Sequence, residues 1–422
     1  MLKDAFQKAG ISKKDFKKGS EKKEKKSVSK KVDIKNQNGT TPKSNFQFKK
    51  SGNIKLKLTA ISPIHIGSKE VYEPTNFAID KQILYYFRDE DFFDALDSMA
   101  RQKFMNIINE NRSDSFARIN KLVKDNINIV KKIAILQVKT TKGVQKAYDS
   151  KTGKVTQIEG SKGNFTKVFN RFEIQRIQRK QVKDTSGNYH QMGYICGSSL
   201  KGAISTAYQE FISQTEGKQA RIDKFENNKT IKEHIFKYLK IGDTLVQKIS
   251  TKIGFACNKE RFEDDETGPS TLIETIQPNS QFIVDVNYQQ YDLNNNKILD
   301  MKDLFESLNA HYLPIFKTIF KQETNNKDEY ILEYLPDDFY EKYKNFTPKE
   351  NQFLIRVGKH SGARAVTIFG ATNDRREIRV KESKRREIKL EEETTTWLFG
   401  EKQNSTQNLL PFGWLLCEIV DI

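Results

Sequence analysis

The segment Tyr194-Ile195-Cys196-Gly197-Ser198-Ser199-Leu200-Lys201-Gly202-Ala203 constrains this chain more than any other. A strand-like Tyr-Ile enters a Gly-Ser-Ser turn, and the turn opens into Leu200, Ala203, Ile204, Ala207, Tyr208, Phe211 and Ile212. These fall at i, i+3, i+4, i+7, i+8, i+11 and i+12, the single apolar stripe of an amphipathic helix. A strand that turns directly into such a helix requires a sheet for the helix to cover. The first turn of a helix also leaves backbone N–H groups unpaired at the positive end of its dipole. Ser198 or Ser199 can cap it, Gly197 lets a ligand approach the backbone, and Lys201 adds a full charge, which together suit a phosphate. A plainly capped helix, with Gly202 permitting close packing, explains the same residues without a ligand. The order Lys201-Gly202 with no hydroxyl residue after the lysine excludes a Walker-type phosphate loop.

The surrounding pattern alternates strand and helix. Ile54, Leu56 and Leu58 alternate with Lys55, Lys57 and Thr59, and Phe282, Val284, Val286 and Tyr288 alternate likewise. Phe77–Asp80 and Ile83–Phe87 read as a hairpin; Phe353–Val357 and Trp414–Val420 read as strands. Helix is predicted from Asp89 or Asp91 through Phe92, Phe93, Leu96 and Ala100, again through Phe116, Ile119, Leu122 and Val123, and over Leu304–Phe320, broken or turned near Pro314. Thr140–Phe165 lacks periodicity and reads as a long mobile loop. The whole is α+β.

Charge sets the partner class. Of a formal net +18 over 422 residues, residues 1–52 carry +11, from sixteen lysines against five acids. This stretch has little to bury and reads as a disordered basic tail that attracts phosphate without reading sequence; a merely solubilising extension is the alternative. Two basic blocks lie in the body, Arg171–Lys180 and Arg375–Lys389. In the first, alternation of Phe172 and Ile174 with polar residues lets a strand present Arg171 and Arg179 from its polar face. A second glycine-rich turn, Val357-Gly358-Lys359-His360-Ser361-Gly362-Ala363-Arg364, suits contact with a phosphodiester backbone through its small residues, Lys359 and Arg364. A polyanion, RNA or DNA, is the expected partner.

Other chemistries find little support. His65, between Ile64 and Ile66, is a candidate general acid or base for metal-independent RNA cleavage, although a lone histidine between isoleucines is more often structural. The histidines show no metal spacing, and Cys196, Cys257 and Cys417 are too scattered for a metal site or a disulfide framework. Asp292 to Asp303 imitates a calcium loop, but Lys297 occupies the position that needs glycine, so a turn capping the next helix is expected. Asp264-Asp265-Glu266 reads as an acidic loop. No cofactor is expected. No apolar run is long enough for a membrane span, and the start lacks an apolar signal core, so the expected address is the cytoplasm.

Taken in order, LTAISPIHIGS (58–68), YEPTNFAID (72–80), YICGSSLKGAISTAY (194–208), FLIRVGKHSGA (353–363) and LPFGWLLCEI (410–419) resemble the RAMP superfamily of CRISPR proteins. They are most similar to the Csm-type subunits that cap the crRNA 3′ end in type III-A effector complexes. The resemblance spans most of residues 53–422. It implies two ferredoxin-like (RRM-like) βαββαβ modules with helical and loop insertions: a lysine-rich tail over 1–52, then modules over 53–290 and 291–422. It implies glycine-rich loops close to crRNA, onto which Gly197, Ser198, Ser199, Lys201 and Gly202 fall, and then Gly358, Lys359, Ser361 and Gly362. Cys196 stands where proline is usual and Ser205 where arginine is common, one cation fewer for RNA. The implied function is non-catalytic: binding crRNA, docking on the backbone and small subunits of the Csm complex, and supporting antiviral defence and 3′-end maturation through host ribonucleases. An endoribonuclease of the same superfamily acting through His65 is the alternative.

Overall fold

The computed structural model describes residues 47–421, apart from 111, 113, 155, 162–163, 170–171, 185, 227–233, 261–266, 321–333, 374, 377, 384–385, 391–392 and 394. The expected basic tail therefore lies, up to residue 46, outside the described residues, as do Arg171 and the acidic triplet 264–266. The described residues form one compact unit. From Phe48 onward the chain is anchored, because that ring packs on Tyr288 and Phe305 with centroids 5.9 and 5.6 Å apart.

Two sheets carry the fold, which is α+β as the sequence pattern requires. The first centres on the strand Ser51–Ala60. Its apolar side, Ile54, Leu56, Leu58 and Ala60, is buried, while Lys55 and Lys57 face out. On one side it pairs antiparallel with Gln281–Gln289, Leu56 opposite Val284. On the other it pairs antiparallel with Trp414–Asp421, Leu58 opposite Cys417. The strand Gln352–Arg356 extends the sheet beyond that. The second sheet centres on Thr251–Glu260, which pairs antiparallel with Thr267–Ile276 and with Thr395–Gly400. It runs out through Leu136–Thr140 to the hairpin Phe77–Asp80/Ile83–Tyr86 on one side, and through Ile174–Ile177 to Gly67–Tyr72 on the other. Each sheet thus draws strands from both sides of residue 290.

The apolar-striped helix spans Gly197–Thr215 and buries Leu200, Ile204, Ala207, Tyr208 and Ile212 in the large core over the first sheet. Beside it lies the helix Met301–Thr318, whose Tyr312 hydroxyl donates to the Ala203 carbonyl at 3.0 Å. This second helix runs through Pro314 without a break, against expectation. An internal proline costs about 3 kcal/mol, but Leu308, Tyr312 and Phe316 on the same helix are fully buried, and that packing outweighs it.

The stretch Thr140–Phe165 is also not the long loop expected. It folds as a helix, Lys142–Lys151, followed by the hairpin Thr156–Ser161/Asn164–Phe169. Thr141 caps the helix by accepting from the Val144 amide at 3.2 Å, and Val144 and Tyr148, one turn apart, are its buried face. Its three apolar residues, Val144, Ala147 and Tyr148, span little more than one turn, too short a run to establish a period, yet they suffice once a core receives them. The calcium-loop imitation is a turn: Asp292 accepts from the Asn294 and Asn296 amides, and Asp300 caps the helix that follows. No helix among the described residues is long and apolar enough to cross a membrane.

Candidate nucleic-acid interface

The Gly197 turn does two things that its sequence does not reveal. Cys196, with extended backbone, takes the N-cap position; neither serine caps. Ser199 Oγ lies 3.0 Å from Cys196 Sγ, and the Ser198 hydroxyl turns to the same sulfur at 3.3 Å. The Gly197 amide is not free either, since it donates to the carboxylate of Asp243 at 2.8 Å. Gly197 itself is buried. A β-carbon there would collide with the Ile241 carbonyl oxygen and lie 2.7 Å from that of Gly242, so this glycine serves internal packing and not ligand approach. Gly202 is the reverse. It is exposed, and a β-carbon would meet nothing within 4 Å. A helical glycine gives up about 1 kcal/mol relative to alanine, and nothing in the fold asks for it. Gly202 therefore leaves an exposed stretch of helix surface without a side chain, its carbonyl accepting from the Thr206 hydroxyl at 3.1 Å. Lys201 donates to the carbonyls of Phe236 and Leu239 at 2.7 and 2.8 Å, tying down the turn Ile235–Tyr238.

The second glycine-rich turn rests on the first strand's exit loop. Gly358 has φ +85°, and a β-carbon would stand 2.5 Å from the His65 carbonyl oxygen. The Lys359 amide donates to that same oxygen at 2.9 Å. The Lys359 side chain is exposed, its ammonium donating to Gln175 Oε1 at 2.7 Å. His360 turns inward against Trp397, centroids 4.4 Å apart, and burial lowers its pKa to about 3. Ser361 is buried, Gly362 lies against the Arg356 guanidinium, and Arg364 faces Glu393 at 3.5 Å.

His65 is buried, 2% exposed. Its Nδ1 donates to the Glu274 carbonyl at 2.7 Å. Burial lowers its pKa to about 4, the hydrogen bond opposing and Lys359 assisting the shift, so the ring is neutral at physiological pH. Arg179 does not project from a solvent face as its alternation suggested. Its guanidinium pairs with the fully buried Glu274 carboxylate and donates to the Gln191 carbonyl at 2.9 Å. Tyr72 completes this knot, its hydroxyl donating to Glu274 at 3.0 Å.

The three turns are nevertheless one assembly. Gln178 joins them: its amide donates to the Ile66 carbonyl at 2.6 Å, and its carbonyl accepts from Tyr194, two residues before the Gly197 turn. Beside them opens a cleft of about 980 Å³, between Gly67–Tyr72, Ile174–Ile177 and the ribbon Arg179–Lys183/Tyr189–Gly193. Lys69, Arg88, Arg176, Arg179 and Lys180 line it, against Glu70 and Glu73. Apart from Arg179, sequence reading missed these residues as a group. The basic run 171–180 was the available signal, but which of its members faces a cavity depends on strands far away in the chain. Among the described residues, no cluster of histidine, cysteine or carboxylate side chains could hold a metal ion.

Comparison with protein-family models decides the lineage: the RAMP superfamily model matches residues 57–413. The chain belongs to the RAMP superfamily. No curated protein matches it. Among solved structures, this RAMP protein is similar to a chain of the cryo-EM structure of a Csm–crRNA–target RNA ternary complex in a type III-A CRISPR-Cas system. That likeness has 15% identity and a TM-score of 0.52, covering 86% of this chain and all of that one. It is also similar to Csm5 of T. onnurineus in its crystal structure, at 15% identity and a TM-score of 0.46, covering 85% and 99%. At that identity the first likeness speaks for a shared fold, the ferredoxin-like α+β architecture of RAMP modules.

Proposed function

We propose that this RAMP protein is a non-catalytic RNA-binding subunit of a type III-A CRISPR (Csm) effector complex, seated at the 3′ end of the crRNA. It would dock on the neighbouring backbone and small subunits, and its role in 3′-end maturation would be indirect, through host ribonucleases. One observation carries the reading: Gly202 leaves the helix surface open to close approach with no packing reason, on the same assembly of hydrogen-bonded turns that exposes Lys359. A helix surface open to close approach and an exposed lysine on the same assembly suit a phosphodiester chain gripped without base readout. The protein of the same fold belongs to a complex with crRNA and target RNA, which agrees with the choice of ligand.

The non-catalytic reading is supported by His65, whose ring is buried, neutral and committed to a backbone carbonyl. A proton-transfer group has to reach its substrate. Reconstitution with crRNA tests the proposal. Gly202→Glu together with Lys359→Ala should lower crRNA occupancy and blur the 3′ end; unchanged occupancy and length would overturn the assignment. Cleavage of repeat RNA by the isolated protein, lost in His65→Ala, would establish the endoribonuclease instead.

A further inference from the structure

The cleft beside the turns has walls of a different chemistry from the turns themselves. Gln178, Gln181 and Gln191 line it, and the ribbon sets Gln181 directly opposite Gln191. Among the described residues no hydrogen bond engages any of their three side-chain amides. On the floor, the Arg176 guanidinium packs over the rings of Tyr72 and Tyr86, 4.8 and 4.6 Å from their centroids, and pairs with Glu70 at 3.0 Å. Lys180 lies over Tyr194 at 5.2 Å. Lys69, at φ +70°, is exposed at the rim.

Amides with both a donor and an acceptor to offer are the groups that match base edges, whereas lysine and arginine match phosphates without regard to sequence. Tyr86 and Tyr194 also line the cleft, and tyrosine rings are surfaces on which unpaired bases stack. At about 980 Å³ the cleft is at the upper end of what one small ligand fills, which suits a short stretch of chain better than a single mononucleotide.

We infer that this cleft is a base-reading subsite for single-stranded RNA, separate from the phosphate-gripping turns, in which Gln178, Gln181 and Gln191 discriminate between bases. The inference rests on the RNA-binding reading above and adds sequence preference to it.

Fluorescence anisotropy of the full chain with short labelled oligouridylate, oligoadenylate and oligocytidylate tests it. The wild type should separate its best and worst oligomers by about tenfold or more, the scale of one good base-edge pairing. The triple variant Gln178→Ala, Gln181→Ala, Gln191→Ala should bring all three within about twofold, and the exposed single change Gln181→Ala should do so in part, with an unaltered thermal melt. Lys69→Ala should weaken every oligomer alike. Equal wild-type affinities, or a preference that survives the triple change, would overturn the subsite and leave the RNA-binding reading intact. Failure of every oligomer to bind would remove that reading as well.

Discussion

The amide of Gly197 donates to the carboxylate of Asp243 at 2.8 Å, so the positive end of the long helix already holds an anion supplied by the protein. This carboxylate is exposed and occupies the dipole end of the helix, the position that would otherwise favour a phosphate. Asp243→Asn should therefore tighten RNA binding several-fold by removing a competing charge at the helix dipole. The same change should lower stability by about 0.5–1 kcal/mol through the weakened cap. Anisotropy titration and a denaturant melt read the two effects with opposite signs.

Two glycines five residues apart should respond oppositely to alanine. Gly197→Ala forces a methyl into the Ile241 and Gly242 carbonyls and should cost about 3 kcal/mol, at the upper end of overpacking penalties. Gly202→Ala meets open space and should raise stability by about 0.5–1 kcal/mol. If RNA lies against that backbone, the stabilised variant binds it less well.

Acid should unfold the protein through its buried imidazoles. The pKa of His65 is about 4 and that of His360 about 3 in the fold, against 6.5 for an unperturbed histidine. Between those values the unfolded chain binds the more protons, so stability rises with pH. The full contribution is present above about pH 6.5 and is lost as pH falls towards 4, roughly 3 kcal/mol for His65 alone. His65→Gln, which keeps a donor for the Glu274 carbonyl, should flatten the melting temperature across that window. A profile as steep as wild type would contradict the assignment.

Glu274 is buried with Arg179 and Tyr72, and the pair stabilises mainly by not being broken. Arg179→Ala should cost about 3–5 kcal/mol, since it strands a carboxylate in the interior. Arg179→Ala with Glu274→Leu should recover much of that loss. In a double-mutant cycle by urea unfolding, additive single effects would mean that the two side chains do not interact.

Lys359→Ala should leave folding within about 0.5 kcal/mol of wild type, the range for an exposed surface change. It should weaken RNA binding for every sequence and reduce the salt slope by about one. Titration at two salt concentrations separates this from any loss of base readout.

Periodicity in the chain was enough for the strands at 51–60, 281–289, 352–356 and 414–421 and for the helix from Gly197, because each pattern records which side of an element is buried. The apolar stripe from Leu200 to Ile212 needed no partner to be recognised. Pro314 misled because local propensity counts against a helix that tertiary packing then retains, and Val144, Ala147 and Tyr148 went unnoticed because three apolar positions within barely one turn set no sustained rhythm. Arg179 alternates like a surface residue. Its destination is Glu274, ninety-five positions away, and no local pattern carries that information.

From its own order of residues, then, this chain determined its α+β class, its superfamily motifs and the glycine-bearing turns that distinguish it. Tertiary structure alone decided which polar groups are spent and which are on offer. Gly197 gives its amide to Asp243, Lys201 its ammonium to two carbonyls and His65 its proton to the Glu274 carbonyl, while three glutamine side-chain amides in the cleft keep theirs available. The physical reason is that burial patterns are written along an element at short range, whereas a hydrogen bond or ion pair is settled by whichever distant segment folding brings within about 3 Å.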